Sequence, residues 1–172
     1  MKSLLLLCVF ATSLSKAVTI EELRNTPGLT PGRFASFFSR FAFRYHSEVQ
    51  PPEVFLATES GDCDDYAILA AAILKEKGYT TRLITVRMLK VTHVVCYVAE
   101  TRSYLDYNNR GFISSTVHSG PEISEIASHV AKSYRAKWSS ASEFIYEEGA
   151  KRLVKTIVEE SKDGGKLAAA LD

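Results

Sequence analysis

The chain has 172 residues, 46% of them apolar and 24% charged, with a formal net charge of +1. That length supports one domain with a real core. So even a charge balance gives no concentrated basic face for nucleic acid, and the aromatic residues fall at helix and strand positions instead of in a base-stacking pattern.

Residues 1–17 read as a secretory signal peptide. Lys2 gives a positive start, residues 4–11 form a short apolar run, and Ser15-Lys16-Ala17 offers small residues for cleavage. The run is too short for a stable membrane anchor, and no later apolar run is long enough to span a bilayer. Cleavage after Ala17 removes Lys2 and Lys16 and no acid, which takes the formal charge from +1 to −1. It leaves Cys63 and Cys96 in an oxidising compartment, periplasmic or extracellular, where disulfides persist.

Thr30-Pro31 reads as a cap and first turn, opening a helix over 32–45. Phe34, Phe37, Phe38 and Phe41 share one face of it, and Arg33, Arg40 and Arg44 share the solvated side. Gln50-Pro51-Pro52 is expected to start an extended stretch. A second helix runs over 62–77 and stops at Gly78. Strands follow over 80–89, 92–99 and 103–107, joined by short links and therefore antiparallel. Pro121 opens a helix through 134, with Ile123, Ile126 and Val130 on one face. Ser139-Ser140-Ala141-Ser142 reads as a break before a last helix over 143–161, ended by Gly164-Gly165. This order is an α+β layer architecture with extra C-terminal helices.

The chemistry centres on Gly61-Asp62-Cys63-Asp64-Asp65-Tyr66-Ala67, a turn leading directly into the apolar second helix. A cysteine there feels the positive end of the helix dipole, which favours the thiolate nucleophile. The unpaired backbone N–H groups of the helix start could meet an oxyanion. His93, in an apolar strand, is the candidate base, and Asp106, at the next strand end, the carboxylate that orients it. Alternation puts His93, Val95 and Tyr97 on one strand face and Val94, Cys96 and Val98 on the other. If His93 faces Cys63, Cys96 faces away, which argues against a Cys63–Cys96 disulfide. The three acids oppose ionisation of Cys63, so His93 or a cation must offset them.

The 61–67 motif resembles the nucleophile motif of the bacterial transglutaminase-like cysteine proteases. Thr92-His93-Val94-Val95 resembles the superfamily's histidine strand and Tyr104-Leu105-Asp106-Tyr107 its aspartate strand. The resemblance spans about residues 35 to 112. It implies a papain-like α+β core, with the nucleophile helix packed on an antiparallel sheet. It also implies Cys63 as nucleophile, His93 as general base and acid, and Asp106 as the orienting residue. Some members bind calcium through acids flanking the cysteine, positions held here by Asp62 and Asp64, with Asp65 adjacent. The reading preferred for these acids is helix capping with no required cofactor, and calcium at Asp62 and Asp64 is the alternative. Members often place an oxyanion donor upstream, where this chain has Tyr45 and Gln50.

The expected domains are the signal at 1–17, a transglutaminase-like domain over 18–134, and a C-terminal helical extension over 135–172. The expected function is an exported thiol hydrolase (a cysteine peptidase or amidase). It would act on a protein or peptide substrate, with hydrolysis favoured over acyl transfer. The alternative is a non-catalytic module of the same fold that binds a peptide or partner.

Overall fold

A computed structural model describes residues 17–110 and 116–159 of the chain. The export signal expected over 1–17 therefore lies outside the described residues except for Ala17, as does the Gly164-Gly165 helix end.

Two short helices open the fold, α1 over Ile20–Asn25 and α2 over Pro31–Ser36. Each begins on a threonine whose hydroxyl accepts a backbone N–H two or three positions into the first turn, Glu22 for Thr19 and Arg33 for Thr30. The helix expected over 32–45 ends early. Past Ser36 the bonds tighten to the i→i−3 kind, from Phe37 N to Phe34 O and from Phe41 N to Phe38 O. Ala42–Phe43 then forms a strand, β1. Contacts distant in sequence capture the chain there. Arg110 donates to Phe41 O, and the Tyr107 hydroxyl donates to Ala42 O at 2.8 Å. Phe34, Phe38 and Phe41 stay buried in one cluster, so the apolar face survives the change of backbone.

The stretch after Gln50 is also a correction. Pro52–Thr58 is a helix, α3, not an extended run. Proline at the first helical position loses no hydrogen bond, and burial of Phe55 and Leu56 holds the helix in place. Ser60–Gly61 forms β2, parallel to β1, and leads into α4 over Cys63–Glu76. Gly78, at φ 88°, closes α4 as the sequence predicts.

The main sheet contains β3 (Thr81–Met88), β4 (Thr92–Val98) and β5 (Ser103–Leu105), followed by a 3-10 turn over Tyr107–Asn109. β6 (Thr116–His118), α5 (Ile123–Ser133), β7 (Trp138–Glu147) and β8 (Ala150–Val158) complete it. The strand order is β6-β5-β4-β3-β7-β8, all neighbours antiparallel. α4 packs on one face through Leu69, Ala70, Ile73, Val94, Cys96 and Val98. α5 packs on the other through Ile126, Val130, Ile84, Val86 and Val95. Covering both faces explains why β4 is buried at every position after Thr92.

The last helix expected over 143–161, and the break at Ser139–Ser142, are replaced by the β7–β8 hairpin. Glu148 and Gly149 form its two-residue turn with φ of 52° and 79°, the left-handed pair that matches strand twist. The register shift at Arg87/Met88 makes Ser139 an extra residue that breaks strict alternation on β7, and the shift at Glu143/Phe144 leaves Val154 as the extra residue on β8. β8 is exposed along nearly its whole length, so its apolar residues carry no period-two burial pattern. Leu153, Val154 and Ile157 happen to fall at spacings that mimic a helix face. Among the described residues no helix is long and apolar enough to cross a membrane.

Candidate active site

The start of α4 is fixed by reciprocal capping. Asp62 is extended, at φ −124°, and its Oδ1 accepts the Asp64 N–H at 3.0 Å. Asp65 reaches back, its Oδ2 accepting the Asp62 N–H at 3.0 Å. Asp65 also takes two donors from Gln50, the backbone N–H and the side-chain amide, both at 2.7 Å. The His46 N–H donates to Asp62 Oδ2 at 3.0 Å. Two of the three acids around the cysteine thus hold the loop of residues 46–50 against the helix start.

Cys63 is the first residue of α4 and is half-buried. β5 pairs with β4 only over 96–98, so the β4 edge is left uncovered by β5 at 92–95. There the Val94 backbone N–H donates to the Cys63 sulfur, which sets the thiol beside the residue that follows His93. The thiol proton points elsewhere, with Sγ donating to Asp64 Oδ1 at 3.6 Å. Burial first, then the charge on Asp64, push the Cys63 thiol up to about 12. The helix dipole was expected to favour thiolate; desolvation and the adjacent carboxylate outweigh it. Asp64 Oδ2 in turn holds the ammonium of Lys151, from β8.

His93 and Asp106 are both buried and bonded, Nε2 to Oδ1 at 2.8 Å. Asp106 begins the 3-10 turn, and its Oδ1 also accepts the Asn108 N–H at 2.9 Å. That second bond fixes the carboxylate and so the plane of the imidazole. The other ring nitrogen, Nδ1, lies 3.0 Å from the Tyr134 hydroxyl. Asn108 Nδ2 donates to that hydroxyl. Among the described residues no hydrogen bond joins Cys63 to His93.

Sequence reasoning placed Cys63, His93 and Asp106 in the right elements but missed Tyr134, Asn108 and Lys151. Tyr134 stood out only as the end of an amphipathic helix. Lys151 lies 87 residues from its partner in a segment read as helix. The strand-face argument about the cysteines needs correction. Cys96 packs on the α4 side of the sheet, the same side as the helix carrying Cys63. Both thiols are free, with Cys96 fully buried. Gln50 offers no oxyanion donor as placed, because both amide hydrogens are taken by Asp65 and Ser60 O. Tyr45 is largely exposed.

Asp62, Cys63 and Asp64 bring three donor atoms within 4.8 Å of one another. Calcium takes six to eight oxygens, and this set has two carboxylates and a thiol. Asp62 already accepts two backbone N–H groups, and Asp64 holds Lys151. As placed, Asp62 caps α4 and Asp64 is paired with Lys151, so a calcium ion there would take its remaining oxygens from backbone carbonyls or water.

A family model described as the transglutaminase-like superfamily matches residues 33–123, just over half of the chain. Among curated proteins none matches the chain. Among solved structures it is similar to calcium-bound LapG from Legionella pneumophila. There the identity is 21% and the TM-score 0.49, with 87% of this chain and 81% of that one covered. It is similar also to the EGTA-treated form of LapG, at 19% identity and a TM-score of 0.49, covering 87% and 80%.

Proposed function

The chain belongs to the transglutaminase-like superfamily, and on that premise we propose that it is an exported thiol hydrolase acting on amide bonds of a protein or peptide. The observation that carries this reading is the buried His93–Asp106 pair, at 2.8 Å, next in sequence to Val94, whose backbone N–H reaches the cysteine at the start of α4. In the proposed reaction His93 Nδ1 takes the Cys63 proton and the sulfur attacks the amide carbonyl. Asp106, holding Nε2–H, keeps the imidazole in the tautomer whose Nδ1 is basic. The Cys63 N–H, at the first position of α4, has no intrahelical acceptor and is free to meet the oxyanion. The proton on His93 passes to the leaving amine, giving a thioester on Cys63. A water molecule, losing its proton to His93, then attacks the thioester, and Cys63 leaves as the thiol and a carboxylic acid is released. Hydrolysis is favoured over transfer because water is always present, and no amine-binding site is evident among the described residues. A calcium ion at Asp62 and Asp64 would have to displace Lys151, and no step of the reaction is assigned to it.

A second reading is a partner-binding module on the same fold. What favours it is the thiol itself, held protonated near 12 and hydrogen-bonded to Asp64 instead of His93. Alkylation by iodoacetamide at pH 7, located by peptide mass spectrometry, separates the two. The hydrolase reading expects modification at Cys63, slowed about tenfold or more by His93→Ala. Equal rates in the two proteins would favour the binding module. Export is tested by sequencing the N-terminus of the protein recovered from its native cell, with a start at Val18 expected.

A further inference from the structure

In the arrangement described, neither partner of the proposed proton transfer faces the other. His93 Nε2 is engaged by Asp106, so Nδ1 is the one basic atom left on the ring. An imidazole nitrogen has a single lone pair, in the ring plane, and accepts one good hydrogen bond. The Tyr134 hydroxyl holds that position at 3.0 Å. Asn108 Nδ2 donates to the same phenol oxygen, which directs the phenol proton toward Nδ1. Burial keeps the phenol up at about 12, so it is a neutral donor at physiological pH. Meanwhile the Cys63 proton is directed at Asp64.

Tyr134 enters from the opposite side of the sheet to Cys63. It caps α5, is followed by Arg135 at φ 51°, and the turn closes through Ala136 N to Ala131 O. Its ring lies 5.1 Å from that of His93, centroid to centroid. The phenol is therefore held by one layer of the fold while the thiol is held by the other.

We propose that Tyr134 is a latch on His93: its hydroxyl occupies the nitrogen that must accept the thiol proton, and the Cys63–His93 pair forms only when it withdraws. The proposal rests on the reading of Cys63 and His93 as nucleophile and base. It makes Tyr134 a positioning residue whose loss speeds the first step.

Tyr134→Phe keeps the ring contact and removes only the hydroxyl. The rate of Cys63 alkylation by iodoacetamide at pH 7 is expected to rise about five- to tenfold, as for the loss of one buried hydrogen bond. The rise should vanish when His93→Ala is added. An unchanged or lower rate in folded Tyr134→Phe overturns the latch. If His93→Ala slows the parent protein but Tyr134→Phe does not speed it, the latch fails and the hydrolase reading stands. If His93→Ala has no effect on the parent, both fail. Should Tyr134→Phe not fold, the unaltered protein labelled with 15N-histidine gives the answer. The latch requires His93 to carry its proton on Nε2 with Nδ1 accepting a hydrogen bond, and a proton on Nδ1 overturns it.

Discussion

Asp64 is the residue whose charge decides how the thiol rests. Its Oδ1 accepts a hydrogen bond from the Cys63 thiol and its Oδ2 holds Lys151, so one carboxylate joins Cys63 to the β7–β8 hairpin. Burial is the larger cause of the raised Cys63 pKa, but the Asp64 charge is the cause a single substitution can remove. Asp64→Asn keeps the shape and removes the negative charge. The thiol pKa should fall, and alkylation of Cys63 at pH 7 should quicken by about three- to tenfold, a modest effect because Asp64 is partly solvated. A slower rate would mean that Asp64 assists the Cys63 thiol instead of restraining it. The acid was legible in the sequence, as was its opposition to the thiolate. The cation that meets it was not, because nothing local connects Asp64 to Lys151.

The element on which the site depends is the start of α4. Gly61 precedes the cap, and a Cβ there would stand 2.5 Å from Asp65 Oδ2, 2.6 Å from Phe55 Cδ2 and 2.8 Å from Gln50 Nε2. None of these can retreat easily. Asp65 and Gln50 are bonded to each other, Asp65 closes the capping box, and Phe55 is fully buried. Gly61→Ala should lower stability to urea by about 1–3 kcal/mol. It should also disturb Cys63 alkylation, because the helix start must move. A variant as stable as the parent would show that the loop of residues 46–50 yields freely. α4 was readable from sequence because caps, first-turn acids and a closing glycine act within a few residues. The β7–β8 hairpin was not. Its turn pair is Glu148-Gly149, a weak hairpin signal. The extra residue Ser139 interrupts alternation on β7, and solvent covers most of β8.

For the whole molecule, burial of weak acids gives a stability that is lost at high pH. Folding raises Cys63 to about 12 from an ordinary value near 9, and Tyr107 and Tyr134 to about 12 from near 10. Cys96 and Tyr104 are also pushed upward by burial. Each group is neutral when protonated, and the unfolded chain ionises first. The stability these groups contribute is therefore complete below about pH 9 and is lost as pH rises through about 12. Urea midpoints at pH 7, 9.5 and 11 should be level at first and then fall steeply. A flat series would show that these groups ionise in the folded state without difficulty. The capped cysteine helix, the order of Cys63, His93 and Asp106, and the antiparallel core strands were legible in the residues alone. Those depend on short-range caps, turns and periodicity. Which hydrogen bonds those three side chains make depends on the packing of distant segments. Tyr134 reaches His93 across 41 residues and Lys151 reaches Asp64 across 87. Contacts that distant in sequence are set by how the two helical layers and the hairpin pack on one sheet, which no local pattern encodes.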